Sequence, residues 1–218
     1  MMSDGLALQM GTSHNLGQNF SRPFEINFLG NDKQEHYVWQ TSWGVSWRLI
    51  GAIIMIHGDD KGLVLPPRIS SIQVVIIPIH YKDQDIIPVR EKVEKLANKL
   101  KQNKIKVYVD VREHYTPGWK FHEWEMKGIP PRIEIGPRDI SKEEVTLVRR
   151  DKKEKISIRE DNVVEKVSVL LEEIQNNLFE KAKRLQNDLM TRVENFEEFK
   201  KTIKKKGGFE RACWCLES

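Results

Sequence analysis

The part of this chain that most restricts its fold begins at Ile72. Residues 72–77 are an apolar, β-branched run of strand length. Val93, Leu96, Ala97 and Leu100 follow at helical spacing within residues 89–100. A strand that is apolar on both faces must be covered on both sides, and a helix directly after it is the usual cover. The same grammar then repeats. Residues 105–111 alternate as a strand, and residues 118–127, after Pro117, read as a short helix holding Trp119, Phe121 and Trp124. Residues 133–135, 145–148 and 156–158 supply three more strands. Residues 163–193 form one long helix or two abutting ones, with Val163, Val167, Leu170, Leu171, Ile174, Leu178 and Leu185 on one face. This alternation predicts an α/β unit with a mixed five-stranded sheet and about three helices.

Pro66-Pro67 marks a boundary before that unit, and the expected division is 1–68, 69–190 and 191–218. The first segment has short alternating pieces: residues 23–28 read as a strand, and residues 37–41 as its partner after the turn signal Gly30-Asn31-Asp32. Residues 48–57 are apolar around the whole circumference, which predicts a buried helix. Strands and one helix without enough cover to close a sheet suggest the end of a larger domain. In the last segment Phe196, Phe199 and Ile203 make a helical face that Gly207-Gly208 breaks.

Charge separates the segments. The chain of 218 residues has 36 Lys and Arg against 32 Asp and Glu, a net of +4. Residues 1–70 hold five of the basic and six of the acidic side chains, which leaves 31 against 26 to residues 71–218. A basic excess confined to one part favours a polyanion partner, although a solvated helical surface accounts for it equally simply. No apolar run is long enough to span a bilayer, and no secretory leader is visible. Cys213 and Cys215 cannot make a disulfide framework, so a soluble, reducing, cytoplasmic setting is expected, with no membrane partner.

Two polar clusters stand out at the front. Within residues 9–18, Gly11 and Gly17 allow close backbone approach, while Gln9, Thr12, Ser13 and His14 offer donors and acceptors. A ligand loop and a plain polar turn between strands both fit. In the second, Gly44 and Ser46 precede Arg48 at the start of the apolar helix. A cation in a first helical turn opposes the helix dipole, so Arg48 needs an anion beside it. A bound phosphate chain or a carboxylate such as Asp59 or Asp60 would serve.

These residues carry a resemblance. The runs Gly11-Thr12-Ser13-His14-Asn15-Leu16-Gly17-Gln18-Asn19-Phe20, Trp39-Gln40-Thr41-Ser42-Trp43-Gly44, Arg48-Leu49-Ile50-Gly51, His57-Gly58-Asp59-Asp60 and residues 62–68 resemble, in order, the prolyl-tRNA synthetase family of the archaeal and eukaryotic type. The resemblance implies an α/β (α+β) chain. Part of the antiparallel class II synthetase catalytic sheet would occupy 1–68, an anticodon-binding domain 69–190, and the start of a truncated C-terminal domain 191–218. It implies ATP-dependent ligation of proline to tRNA(Pro) through a prolyl-adenylate, with ATP as substrate and Mg²⁺ accompanying it. Gln9, Thr12, Ser46 and Arg48 match ATP contacts. Arg48 is the arginine expected on the γ-phosphate, and His14 lies by the proline pocket and the tRNA end. His14 and Arg48 are thus the expected catalytic residues. Trp47 stands where the family carries a small hydroxyl residue.

Phe121, Glu125, Arg132, Arg138 and Asp139 match anticodon contacts of the family. Aromatic stacking with an arginine and a carboxylate is chemistry able to read guanine. Trp119 and Trp124 are expected in the core. The family's dimer motif and the motif for proline and adenine find no match, so the isolated chain is expected to be inactive alone. A freestanding anticodon-binding accessory without catalysis is the alternative. Cys215 resembles the first ligand of a C-terminal zinc module, but two cysteines one residue apart do not complete a site, and no metal is expected.

Overall fold

The computed structural model describes residues 1–80, 83–205 and 208–213. The leading part contains, in order, β1 (Gly11–Gly17), β2 (Asn27–Leu29), β3 (Glu35–Tyr37), β4 (Gln40–Val45) and α1 (Arg48–His57). β1 pairs antiparallel with β4, placing Thr12 opposite Gly44 and His14 opposite Ser42. The polar run around His14 is therefore a strand rather than a turn. β2 and β3 form a separate hairpin with Phe28 opposite His36. That hairpin is shorter than the expected 23–28 and 37–41 pairing. Residues 20–25 turn instead, with Glu25 at φ 53°, and the second expected strand is divided between β3 and β4. The turn between β2 and β3 is held by Asp32, whose carboxylate accepts from the Gln34 amide at 3.1 Å and meets His36 at 2.8 Å.

Helix α1 forms where expected but is not buried. Ala52 is its one buried residue, while Leu49, Ile50, Ile54 and Met55 are exposed. The two small ladders supply no second layer over it. Its contacts with later helices are to the long C-terminal helix described next.

From residue 74 onward the order is β5 (Val74–Pro78), α2 (Asp83–Gln102), β6 (Val107–Val109), α3 (Pro117–Met126), β7 (Pro131–Ile135), α4 (Pro137–Lys142), β8 (Glu144–Arg149), β9 (Lys155–Arg159) and α5 (Val163–Asp188). The five strands make one mixed sheet in the order β6-β5-β7-β8-β9. β6, β5 and β7 are parallel, and β8 and β9 return antiparallel. With β5 in the middle of the parallel strands, right-handed crossovers send α2 and α3 to opposite faces. Alternate residues of each strand record this. Val74, Ile76, Ile133, Ile135, Val145 and Leu147 join the larger core under α2 and α5. Val75 and Ile77 pack with Trp124, Ile129 and Phe121 on the other side. Each fully buried Ile or Leu contributes about 1.5–3 kcal/mol, so the larger cluster dominates stability.

Three boundaries differ from the sequence reading. α2 starts at Asp83, ahead of Pro88, because a proline early in a helix removes a single backbone bond while the apolar face further on is fully buried. α4 is a six-residue helix that patterning did not show. α5 stops at Asp188, and the chain continues as β10 (Met190–Arg192), α6 (Phe196–Lys205) and β11 (Phe209–Arg211), where β10 and β11 pair in parallel. Gly207 and Cys215 lie outside the described residues; Cys213 is exposed and unpaired in a disulfide.

Candidate functional site

Gln9, Thr12, Ser46 and Arg48 line one open cleft of about 310 Å³, together with Met10, Gly11, Gly44 and Val45. The backbone explains the grouping. Thr12 and Gly44 are cross-strand partners, and a Cβ on Gly44 would stand 3.1 Å from Thr12 Oγ1, so glycine leaves the space above the threonine free. Ser46 follows β4 and its hydroxyl accepts from the Arg48 amide at 3.4 Å as α1 begins. His14 shares the face of β1 that carries Thr12 but lies outside the cleft lining.

Arg48 is exposed rather than buried, and Asp59 is not its partner. Its one described side-chain bond is a long one, from Nη1 to Gln9 Oε1 at 3.5 Å. α1 has no acidic residue in its first turn, and no side chain caps it at Trp47. The Arg48, Leu49 and Ile50 amides are taken up by Ser46 and Trp47, so the guanidinium is what this helix end presents to the cleft, with no described anionic partner. Trp47 is 85% exposed and is not among the lining residues, so its bulk does not fill the cleft.

A second site lies on the sheet face against which α3 packs, beside the helix. Arg132 pairs in register with Val75 and Val148, and Glu134 with Ile77 and Thr146, so these side chains share that face. The Arg132 guanidinium sits 4.7 Å from the Phe121 ring centroid and donates from Nε to Glu134 Oε1 at 2.8 Å. Lys155 Nζ donates to the other Glu134 oxygen at 2.7 Å. Glu134, only 3% exposed, is thereby neutralised by two cations, as a buried carboxylate requires. Glu125 and Arg132 line a cavity of about 180 Å³ with Lys61, Arg150 and Lys153. Asp139 lies at the other end of β7. Its Oδ2 accepts from the Gly136 amide at 2.8 Å as a cap on α4, and Thr146 Oγ1 donates to Oδ1 at 3.3 Å. Arg138 is exposed beside it on α4. Phe121, Glu125 and Arg132 therefore converge, while Arg138 and Asp139 sit apart on α4, beyond the far end of β7.

The sequence reading missed several residues of this region. Glu134 was accessible from the period of two that starts at Arg132; Lys155 needed the β8–β9 register. Asp110 also escaped. It is fully buried at the end of β6, accepting from Arg112 Nε at 2.9 Å and from the Trp124 indole at 2.8 Å. Burial pushes its carboxyl upward, but the hydrogen bonds from Arg112 and Trp124 outweigh this and hold it down at about 2. Trp124 is thus in the core as expected. Trp119 is not: it is half exposed, stacked on Tyr115 at 3.8 Å with Arg112 alongside.

Asp59 belongs to Arg150. The pair is bidentate, Nη2 to Oδ1 at 2.6 Å and Nη1 to Oδ2 at 2.9 Å, and Arg150 hydrogen bonds hold the carboxyl well below the usual range. Arg150 also donates from Nε to the Glu125 carbonyl at 2.8 Å. Among the described residues no group of three His, Cys, Asp or Glu side chains comes together to hold a metal ion, and no helix is long and apolar enough to cross a membrane.

Comparison with known proteins gives consistent matches. Residues 73–170, covering the five-stranded sheet, match the family described as "Anticodon binding domain". A proline–tRNA ligase of Cenarchaeum symbiosum (strain A) is 59% identical over 150 residues, 69% of this chain and 32% of that protein. One from Natranaerobius thermophilus is 59% identical over 151 residues, 69% of this chain and 31% of that protein. One from Flavobacterium johnsoniae is 48% identical over 214 residues, 98% of this chain and 44% of that protein. The chain spans less than half the length of these relatives. With an anticodon binding domain matched over residues 73–170 and nearly every residue aligned to one of these enzymes, the chain belongs to the prolyl-tRNA synthetase family.

Proposed function

We propose that this chain carries the later part of a proline–tRNA ligase: one wall of the nucleotide site, and the surface that reads the proline anticodon. The observation that carries the first half is Arg48, a cation with no described carboxylate partner at the amino end of α1, beside Gln9, Thr12 and Ser46. An unpaired guanidinium beside short polar side chains favours a polyphosphate. In this reading Arg48 grips the γ-phosphate of ATP, Gln9, Thr12 and Ser46 contact the nucleotide, and His14 stands by proline and the tRNA end. A proline carboxylate oxygen attacks the α-phosphorus and pyrophosphate leaves. The terminal ribose hydroxyl of tRNA(Pro) then attacks the adenylate carbonyl and AMP leaves. The chain's contribution to the first step is positioning and charge neutralisation. Among the described residues no carboxylate lines the cleft, so Gln9, Thr12, Ser46 and Arg48 would hold the triphosphate directly, and Mg²⁺ carried on it would supply further charge neutralisation.

For the anticodon half, Phe121 offers a stacking face, Arg132 a donor fork, and Glu125 an acceptor for guanine N1 and N2 protons. Arg138 and Asp139 extend the surface toward α4. The test of this half is binding of a stem-loop with the proline anticodon against one with both guanines replaced. Preference for the first is expected, and equal binding overturns the reading.

A second reading, an accessory tRNA-binding module without chemistry, draws on the exposure of Arg48 and Gln9 in the open cleft and of His14 outside it. Proline-dependent ATP–pyrophosphate exchange separates the two. The chain by itself is expected to show none. Exchange restored by adding the amino-terminal remainder of a relative favours the ligase, and no restoration favours the accessory.

A further inference from the structure

Glu125 is the candidate anticodon residue whose surroundings come from two distant parts of the chain. Its carboxylate is only 14% exposed, so its direction is set by its neighbours rather than by solvent. Lys61, from the loop after α1, brings Nζ to 3.3 Å of Oε1, while His122 Nδ1 is 3.9 Å from Oε2. The loop holding Lys61 is itself fixed. Arg150 clamps Asp59 and the Glu125 carbonyl together, and the Leu63 amide donates to the Met126 carbonyl at 2.9 Å. A Cβ on Gly62, at φ +123°, would stand 2.5 Å from that same carbonyl, so the two segments touch backbone to backbone. Lys61 is therefore presented from a rigid strap, and its own side chain is half exposed, facing the cavity that Glu125 and Arg132 line.

We infer that Lys61 is a positioning residue for Glu125, so that the leading segment takes part in anticodon reading. The inference rests on the anticodon reading proposed above. A carboxylate that must accept two guanine protons needs one orientation, and an ammonium on one oxygen leaves the other directed at the base. An ammonium used only to neutralise RNA phosphate would act on all sequences alike.

The experiment uses the full chain with two RNA probes, the proline-anticodon stem-loop and the same loop with its guanines replaced. Lys61→Met is expected to lower the ratio of the two affinities about tenfold, a coupling typical of residues in direct contact. Lys61→Arg should restore the ratio. In a Glu125→Gln background Lys61→Met should change the ratio little, since the group it acts through is gone. Equal loss on both RNAs, with the salt slope reduced by about 0.7 as for one lost single-strand phosphate contact, overturns the inference. An unchanged ratio overturns it also. If the unmodified chain fails to distinguish the two RNAs, the proposed anticodon function itself falls, an outcome separate from either of these.

Discussion

Replacing Arg132 by alanine should weaken binding of the proline-anticodon stem-loop by about 1–3 kcal/mol while sparing a loop with altered bases, measured by parallel titrations. Equal losses would reduce Arg132 to a phosphate contact. The structure adds a second effect, because Arg132 also covers Glu134. Without it the buried carboxylate retains only Lys155, and a modest drop in thermal stability should accompany the lost affinity. Asp59 makes a prediction of a different kind. Its folded-state pKa is lowered by Arg150, so the pair stabilises the protein above the unfolded carboxylate pKa of 3.8, and that contribution is lost progressively as pH falls below it toward the folded value. Asp59→Asn should cost about 1–3 kcal/mol at neutral pH, discounted because Asp59 is one-third exposed. Urea unfolding should then show a stability less sensitive to acid between pH 5 and pH 2, since the depressed group has been removed.

At the scale of elements, α3 is fastened to β6 by Asp110. Asp110→Ala would strip the Trp124 indole of its acceptor, leave Arg112 with Glu123 alone, and take from the buried Lys120 its nearby carboxylate. A loss of about 3–5 kcal/mol is expected from denaturant unfolding, and a loss under 1 kcal/mol would show that the network is not structural. Much of this architecture was legible in the sequence. The run through Ile76 and the spacing of Val93, Leu96 and Leu100 reported a strand and a helix because both are buried on the faces that patterning reports. Where patterning failed, the reason was tertiary. The apolar ring of residues 48–57 indicated burial, yet burial depends on what lies opposite, and Ile50, Ile54 and Met55 stay exposed. Arg48 and Gln9 were legible as polar residues near glycines, but the exposure of Arg48 was not, and neither was the capture of Asp59 by a residue 91 positions away. Phe121 and Arg132 could be paired only once α3 had been laid across β5.

The molecule as a whole is uneven. The sheet from β5 to β8 has a large apolar cluster on one face and a smaller one on the other, whereas between residues 1 and 58 only Met1, Met2, Ser21 and Ala52 are buried. Amide hydrogen exchange should therefore divide along this line. β1 and β4 amides should exchange through cheap local opening, and β5, β7 and β8 amides only through global unfolding. Uniform protection across both would contradict the picture drawn from burial.

The guanidinium of Arg150 has a consequence for biosynthesis. Asp59 leaves the ribosome 91 residues before the side chain that will hold it. At about 5–20 residues per second that is a wait of roughly 5–18 s, through which Asp59 has no Arg150 to pair with. The clasp can close only once Arg150 has been made, so the loop holding Asp59 waits on the sheet that carries its partner.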